Sequence, residues 1–261
     1  MANGNWSDLR TRVLSAVVML AVGGTVVWVG GWPLVILGAL IAGLMVWELT
    51  RMIGPDAPQR AQVLGLLAGG LFVVLTSVSL GSLWWFVAIV LPLCVAGLSP
   101  RLRQAGFSYS LAVTVALIQI LALRMDYGLA HLLWLASVVI ASDVMGYFAG
   151  RSIGGPKFWP AISPKKTWSG TAAGWIGAAV VGYFFGPSLG VDPVLLAVVS
   201  MVMALAAQMG DIAESAIKRK SGIKDSSNLI PGHGGLMDRF DGFTGAGVFL
   251  FVLMRLFGVS L

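Results

Sequence analysis

The 261-residue chain is 57% hydrophobic and only 11% charged, whereas soluble domains carry about 25% charged residues. Apolar stretches recur along its whole length, which excludes an ordinary soluble domain and places the chain in a lipid bilayer. The net charge of +6 does not indicate nucleic-acid binding, because the basic residues lie in short loops between apolar stretches, where membrane topology explains them.

Nine apolar segments follow one another along the chain, each near the length that crosses about 30 Å of hydrocarbon at about 1.5 Å per residue. The first could pass for a signal peptide, but no clean cleavage pattern follows it and a second segment starts at once, so we interpret it as a retained helix. The segments are Val13–Val29, Trp32–Ile53, Ala61–Leu80, Leu83–Leu98, Phe107–Leu123, Ala130–Ala149, Gly170–Phe185, Pro193–Met209 and Phe243–Leu261. We therefore predict an all-α polytopic membrane protein of about nine transmembrane helices, with residues 1–261 as a single domain.

The distribution of basic residues predicts the orientation of these helices. Nine crossings put the two termini on opposite sides of the membrane. With the N-terminus in the cytoplasm, fifteen of the seventeen Lys and Arg residues lie on the inner side, and only Arg124 and Arg255 lie outside. The positive-inside rule therefore favours a cytoplasmic N-terminus, in a membrane of the bacterial inner-membrane type.

A first polar group extends from Asp143 to Gly170. Asp143 and Tyr147 are four residues apart and share a helix face. A carboxylate buried in a membrane helix is costly, so Asp143 indicates function rather than structure. The loop that follows adds glycines, charge and a hydroxyl suited to a phosphate: Gly154, Gly155, Lys165, Lys166 and Thr167. A cytoplasmic loop whose lysines only fix the orientation is an equal alternative.

A second polar group lies between Gln208 and Gly242 and contains five of the eleven acidic residues. Asp211, Glu214 and Lys218 fall at i, i+3 and i+7, which places them on one face of a helix. A helix end held by salt bridges is the structural alternative.

Two further carboxylates, Asp238 and Asp241, follow a Gly-His-Gly-Gly segment. In the predicted topology they can converge with Asp143 and Asp211 near the cytoplasmic boundary of the membrane. Carboxylates are the ligands that Mg2+ prefers, usually one or two of them together with substrate phosphates. His233 has no histidine or cysteine partner for zinc, so we interpret it as a phosphate contact or a loop-ordering residue, with a purely structural histidine as the alternative.

Carboxylates beside lysines, arginines and glycine-rich loops suit phosphoryl or nucleotidyl transfer. Such chemistry needs metal ions that bridge phosphate oxygens and cations that offset the developing charge. A site that faces the cytoplasm from within the membrane implies one water-soluble substrate and one lipid substrate.

A run of 27 positions reads Ser215-x-x-Lys218-Arg219-x4-Lys224-Asp225-x-Ser227-x-x-Ile230-Pro231-x-His233-Gly234-Gly235-Leu236-x-Asp238-Arg239-Phe240-Asp241. It resembles the signature of the phosphatidate cytidylyltransferases, also called CDP-diglyceride synthases. Upstream, Asp143, Gly146-Tyr147, Gly150-Arg151 and Ser163-Pro164-Lys165-Lys166-Thr167-Trp168-Ser169-Gly170 are also similar to that family. The N-terminal half is similar in architecture only, so the helices of about residues 13–123 are predicted to be a scaffold and residues 130–261 to carry the catalytic site.

The resemblance implies the reaction CTP + phosphatidate → CDP-diacylglycerol + pyrophosphate, with Mg2+ and, as an open alternative, a monovalent cation such as K+ beside it. It implies Asp211 and Asp238 as metal ligands, and next Asp143 and Asp241 as outer or water-mediated ligands. The catalytic residues that it implies are Asp211, Asp238, Lys218 and Arg239. The substrate-binding residues that it implies are Tyr147, Ser163, Lys165, Lys166, Thr167, Arg219, Lys224 and His233.

Three other functions were weighed. Transporters also carry carboxylates within the membrane, but here the charges gather at one face and no inverted repeat appears. A CDP-alcohol phosphotransferase needs Asp-Gly-x-x-Ala-Arg, and the segment Asp241-Gly242-Phe243-Thr244-Gly245-Ala246 is not followed by Arg. A membrane scaffold without activity is the remaining alternative. No local sequence pattern indicates the acyl-chain preference or a preference for CTP over dCTP. The oligomeric state also has no local pattern, and a homodimer is one alternative.

Overall fold

The computed structural model describes residues 3–78, 83–98 and 100–259. Within these ranges nine α-helices follow in chain order: α1 Asn3–Val29, α2 Gly31–Ile53, α3 Pro58–Ser77, α4 Trp84–Leu98, α5 Arg103–Ala122, α6 Leu129–Ser152, α7 Trp168–Leu189, α8 Pro193–Lys220 and α9 Met237–Phe251. Each predicted apolar segment lies on one of them, although residues 79–82 and the last two residues of the chain lie outside the described ranges.

Seven of these helices are long and apolar enough to cross a membrane, by length and composition, among the described residues: α1 from Arg10 onward, α2, α3, α5 with the π-helical turn Leu123–Tyr127, α6, α7 and α8. Helix α4 is shorter, and α9 continues into a π-helical turn, Val252–Leu256. The prediction of an all-α polytopic membrane protein is confirmed. The count of nine crossings and the cytoplasmic N-terminus stay predictions.

Two short strands interrupt the helices where the sequence indicated only a loop. Strand β1, Lys157–Trp159, pairs in antiparallel fashion with β2, Ser163–Thr167. The pairing escapes sequence inspection because strands of three and five residues are too short for a clear alternation of apolar and polar side chains. The hairpin leads directly into α7 and therefore holds the lysines of β2 next to the start of that helix.

The chain groups into two compact units, and the boundary passes through α5, α8 and α9. The first unit comprises Met1–Thr114 and Lys220–Phe240, and the second comprises Val115–Arg219 and Asp241–Leu261. Most of the signature segment, residues 220–240, thus groups with the N-terminal helices. The division into scaffold and catalytic parts stays a prediction.

In the first unit, α2 packs closely against α3. A Cβ atom at Gly43 would lie 2.9 Å from the Gly65 carbonyl oxygen, and one at Gly65 would lie 2.8 Å from the Gly43 carbonyl oxygen. Small residues of this kind let helix backbones approach each other within lipid. The close approach fixes α2 as a rigid support for the one acidic side chain it carries, Glu48.

In the second unit, a buried core gathers side chains from α6, α7, α8 and α9. Trp134 is fully buried there, and its indole N–H donates to the Ser200 hydroxyl at 2.9 Å. Around Trp134 the core contains Leu135, Val138, Val139, Ala178, Leu196, Met203, Ala204, Ala207, Ala246 and Leu250. Next to this core, the Gln208 side chain of α8 accepts a hydrogen bond from the Trp175 indole N–H of α7 at 3.0 Å.

Candidate functional site

The β-hairpin and the first turn of α7 form one local unit. Thr167 ends β2 and caps α7, because its side-chain oxygen accepts a hydrogen bond from the Gly170 N–H at 3.2 Å. The Trp168 N–H donates to the Pro156 carbonyl at 3.0 Å, and the Trp168 ring meets Phe158 edge-on at 4.6 Å. The Thr167 hydroxyl, predicted to bind substrate, is thus buried as a helix cap, and its contact with substrate stays a prediction.

The lysines of β2 have different surroundings. The Lys166 ammonium pairs with the Asp211 carboxylate of α8. Asp211 also lies 3.3 Å from the Ser215 hydroxyl, which donates to its other oxygen. Lys165 is exposed, and Ser163, at the start of the strand, is half-buried. The structure therefore joins two predicted site residues, Lys166 and Asp211, that are 45 positions apart in the sequence.

One turn further along α8, a second ion pair is buried. The Lys218 ammonium lies 3.2 Å from a Glu214 carboxylate oxygen, and both residues are almost fully inaccessible to solvent. The salt bridge that was the structural alternative for this helix face is thus present between Glu214 and Lys218. Asp211, in contrast, pairs across to the hairpin.

The charges of two other acidic residues of the second unit act on Asp241. Asp241 lies in the second turn of α9, outside the seven helices that qualify as membrane spans. Burial, followed by the negative charges of Asp211 and Asp143, raises the pKa of the Asp241 carboxyl to about 7. Hydrogen bonds with the Gly242 N–H and with Glu214 act in the opposite direction and lower this pKa. Negative charges that raise the pKa of the Asp241 carboxyl place it in a region of negative potential.

The chemistry of these carboxylates fits a hard divalent cation, which would relieve their repulsion. No set of three or more His, Cys, Asp or Glu side chains placed to share one ion is found in the part of the chain that the structure describes. A Mg2+ ion would therefore take the rest of its coordination from substrate phosphates and water, as it usually does. Asp238 belongs to the first unit, so its convergence with the other three carboxylates stays a prediction.

Asp143 itself is exposed on α6 rather than packed among protein side chains. The burial of this carboxylate within a membrane stays a prediction. One turn along the helix, Tyr147 is also exposed, and its hydroxyl accepts a hydrogen bond from the Arg151 guanidinium at 2.7 Å. This face of α6 thus presents an acid, a phenol and a cation.

In the first unit, one oxygen of Asp238 accepts three hydrogen bonds. The donors are the Ser226 N–H at 3.0 Å, the Ser226 hydroxyl at 2.9 Å and the Gly235 N–H at 2.8 Å. A Cβ atom at Gly235 would overlap the Ser226 hydroxyl, so only glycine permits this packing. Three neutral donors therefore orient this oxygen of Asp238.

Glu48 is a functional candidate that the sequence reasoning missed. It lies in α2, is fully buried, and its carboxylate accepts hydrogen bonds from the Leu236 N–H at 2.9 Å and the Met237 N–H at 2.6 Å. The Ser227 hydroxyl also donates to it, and the Ser226 hydroxyl oxygen lies 3.3 Å from it, farther than from Asp238 at 2.9 Å. The signal was present, because Glu48 is an acid inside an apolar segment, which is the argument that singled out Asp143.

His233 contacts the first helix. Its Nδ1 atom lies 2.8 Å from the Ser15 hydroxyl oxygen, and Ser15 also donates to the Pro231 carbonyl at 3.0 Å. The turn around it closes with the His233 N–H donating to the Ile230 carbonyl at 2.9 Å. These contacts favour the loop-ordering interpretation of His233, and a phosphate contact stays a prediction.

The remaining predicted cations are exposed. They are Lys165, Arg219, Lys224 and Arg239. Among the described residues, no ion pair is found for Lys165, Lys224 or Arg239. These three side chains are therefore accessible to an anionic ligand.

Comparisons with known proteins agree with the signature. The profile of the cytidylyltransferase family matches residues 10–257. The chain is 34% identical over 265 residues to the phosphatidate cytidylyltransferase of Brucella suis biovar 1, covering 96% of this chain and 95% of the relative. It is 31% identical over 267 residues to that of Bacillus subtilis, covering 96% and 99%, and 34% identical over 262 residues to that of Pseudomonas aeruginosa, covering 91% and 94%. The similarity thus extends over nearly the whole chain.

Proposed function

The chain belongs to the cytidylyltransferase family, and from that premise we propose that it is a membrane-bound nucleotidyltransferase that converts CTP and phosphatidate into CDP-diacylglycerol and pyrophosphate. The observation that carries this proposal is the near full-length similarity to relatives named phosphatidate cytidylyltransferase. The exposed lysines and arginines of the signature and the hairpin and the apolar helices support it.

The reaction needs little covalent help from the protein. Phosphatidate already carries an anionic phosphate oxygen, so no strong general base is required. That oxygen forms a bond to the α-phosphorus of CTP, and the bond from that phosphorus to the oxygen bridging to the β-phosphate breaks. Pyrophosphate leaves with the electron pair, so positioning and charge compensation are the main tasks of the enzyme.

We assign charge compensation to the basic residues of the signature and the hairpin. They are Lys165, Lys166, Lys218, Arg219 and Arg239. Lys165 and Arg239 are exposed and have no ion pair among the described residues, so they are available to phosphates. Lys166 and Lys218 are held by carboxylates, and contact with a phosphate would need those pairs to rearrange.

Mg2+ is the proposed cofactor, with Asp211 and Asp238 as the ligands and Asp143 and Asp241 in outer or water-mediated positions. When bound, the ion would supply positive charge that offsets the charge on the leaving pyrophosphate. Asp238 is oriented for this role by its three hydrogen bonds, whereas Asp211 must exchange Lys166 for the ion. A monovalent cation such as K+ and a homodimer stay predictions.

A radiolabel assay with purified protein tests the reaction. The protein in detergent is given labelled CTP and phosphatidate, with and without Mg2+. We expect a lipid-soluble labelled product and an equal amount of pyrophosphate, both dependent on phosphatidate and Mg2+. No pyrophosphate release with any lipid phosphate would contradict the proposal and favour the transporter or scaffold alternatives.

We further propose that the N-terminus and the active site face the cytoplasm. The uneven distribution of Lys and Arg supports this orientation. Within the second unit, Arg255 lies 3.6 Å from Asp126, as expected if the loop that precedes α6 and the chain end share the outer side. Reporter fusions at Trp6 and Leu261 should fall on opposite sides of the membrane, and fusions on the same side would contradict nine crossings.

A further inference from the structure

Glu48 takes no part in the chemistry assigned above, although it lies fully buried in a membrane helix. We infer that Glu48 is a positioning residue, whose carboxylate holds the segment Ser226–Met237 in the conformation that orients Asp238. The inference rests on the proposed function, since it is Asp238 that acts in the reaction. It is carried by the hydrogen bonds that join α2 to this segment.

Each oxygen of Glu48 accepts one backbone hydrogen bond and lies beside one serine hydroxyl. One oxygen accepts from the Leu236 N–H and the Ser227 hydroxyl, and the other accepts from the Met237 N–H and lies 3.3 Å from the Ser226 hydroxyl oxygen, whose one proton it shares with Asp238. No ion pair of Glu48 with Lys or Arg is found among residues 3–78, 83–98 and 100–259. Burying a carboxylate is costly unless it is hydrogen-bonded, so the two backbone N–H groups, the Ser227 hydroxyl and the shared Ser226 hydroxyl account for its position.

The donors also show what the carboxylate does. Helix α9 begins at Met237, and the first N–H groups of a helix lack partners within it. Glu48 supplies an acceptor for Leu236 and Met237 from a different helix, and a negative charge at a helix N-terminus is favourable. Glu48 therefore fixes where α9 starts, and Asp238 is the next residue.

Ser226 connects Glu48 directly to Asp238. Its hydroxyl oxygen lies 3.3 Å from Glu48 and 2.9 Å from Asp238, and its N–H also donates to Asp238. Ser227 contacts Glu48 but makes no hydrogen bond to Asp238 among the described residues. The two serines thus form a matched pair, in which only one can transmit a change at Glu48 to Asp238.

Glu48→Gln is the informative variant because glutamine keeps the length and shape of the side chain. Its single oxygen can face Leu236 or Met237 but not both, so one backbone N–H must meet the amide NH2 group. We expect amide hydrogen exchange of the full-length protein, in detergent, to become roughly ten- to a hundredfold faster in residues 226–237, the size expected when a hydrogen bond to a charged group is lost. Thr50→Val is the control, because the buried Thr50 hydroxyl donates only within its own helix, to the Val46 carbonyl.

A second measurement separates positioning from support of the fold. In Glu48→Gln and in Ser226→Ala, turnover should fall and the Mg2+ concentration for half-maximal activity should rise, with the KM for CTP little changed. Glu48→Asp, which keeps the charge on a shorter side chain, should recover part of the loss. Ser227→Ala should lie closer to wild type than Ser226→Ala.

The inference is overturned if residues 226–237 in Glu48→Gln exchange at the wild-type rate, or if exchange rises equally in all helices while activity per folded molecule is unchanged. Should Glu48→Gln not fold, the two serine variants decide: equal effects of Ser226→Ala and Ser227→Ala contradict the connection to Asp238. A wild-type protein inactive on CTP and phosphatidate would refute the proposed reaction, whereas the exchange result would still report on Glu48.

Discussion

The two units treat their carboxylates differently. In the first unit, Glu48 and Asp238 receive hydrogen bonds from backbone N–H groups and serine hydroxyls. In the second unit, Asp211 and Glu214 pair with lysines on β2 and α8. The first arrangement fixes the direction of a carboxylate by hydrogen bonds from neutral groups, whereas the second places a lysine ammonium directly on it.

This difference separates two ways of preparing a site for phosphates and a metal ion. A carboxylate that is held by neutral donors is oriented for a cation before the cation binds. A carboxylate paired with lysine must first give up that lysine, which then becomes available to a phosphate. We therefore expect Asp238 to behave as a preorganised ligand and Asp211 as an exchangeable one.

The largest effect is expected at Asp238. Asp238→Asn keeps the shape of the side chain and one acceptor oxygen but removes the charge that holds a hard cation. Specific activity should fall by roughly a thousandfold or more, because a metal ion contributes several kcal/mol to such reactions and about 1.4 kcal/mol is a factor of ten. The measurement is turnover in detergent across a Mg2+ and Mn2+ titration, with protein yield and migration unchanged.

Asp211→Asn tests the carboxylate that pairs with Lys166. Activity should also collapse, and raised Mg2+ or Mn2+ should restore part of it in either variant. Asp238→Glu and Asp211→Glu should fail as well, because the near-octahedral geometry of Mg2+ tolerates little displacement of a ligand oxygen. Near-normal turnover of both Asn variants at ordinary Mg2+ would move the metal site to Asp143 and Asp241.

Substitutions in the buried Glu214–Lys218 pair of α8 should lower the stability of the protein more than its activity. Lys218→Ala leaves Glu214 buried without its lysine, a change that typically costs about 3–5 kcal/mol. We expect a clear fall in the unfolding temperature in detergent, and the double variant Glu214→Gln with Lys218→Met should recover much of it. If the double variant is stable but inactive, Lys218 also acts in the reaction, and if it is stable and active, Lys218 is structural.

The two lysines of β2 should differ in kinetics. Lys165→Ala should raise the KM for CTP by roughly ten- to a hundredfold, the loss expected for a charge-assisted hydrogen bond. Lys166→Ala should raise it too and, in addition, lower the Mg2+ requirement, because Asp211 loses its competing cation. Unchanged CTP kinetics in both variants, with a lower protein yield, would favour lysines that only set the orientation.

The smallest effect is expected from packing around Asp238. Gly235→Ala would place a Cβ atom against the Ser226 hydroxyl and 2.5 Å from a Glu48 oxygen, and overpacking typically costs about 1–3 kcal/mol. Gly97→Ala is the control, because a Cβ atom there meets no other atom within 4 Å. A higher Mg2+ requirement in Gly235→Ala alone would support the ordered segment, and equal behaviour of the two variants would argue against it.

The helices were predictable because apolar length alone marks them, but their ends were not. We predicted that the eighth helix ends at Met209, but α8 continues to Lys220. Asp211, Glu214 and Lys218 lie on one face of this extension, where they form ion pairs. A charged residue such as Asp211 marks the end of an apolar segment, but the helix continues beyond it.

Only the site residues that lie in or beside the sequence motifs could be predicted. Ser226, Ser227 and Asp238 stand in or beside the signature, but the acceptor that orders this segment lies 178 or more positions earlier, at Glu48. Sequence spacing cannot show such a contact. The pairing of Lys166 with Asp211 was hidden for the same reason, since it depends on how β2 folds back to α8.

Binding of Mn2+, followed by the loss of the free-ion electron paramagnetic resonance signal, tests the central claim that Asp238 is a preorganised cation ligand. Full-length wild type, Asp238→Asn and the exposed control Asp56→Asn would be titrated in detergent without substrate and again with CTP. We predict that wild type and Asp56→Asn bind Mn2+, more tightly with CTP, and that Asp238→Asn binds at least tenfold more weakly in both conditions. Binding by Asp238→Asn that equals wild type would contradict the account.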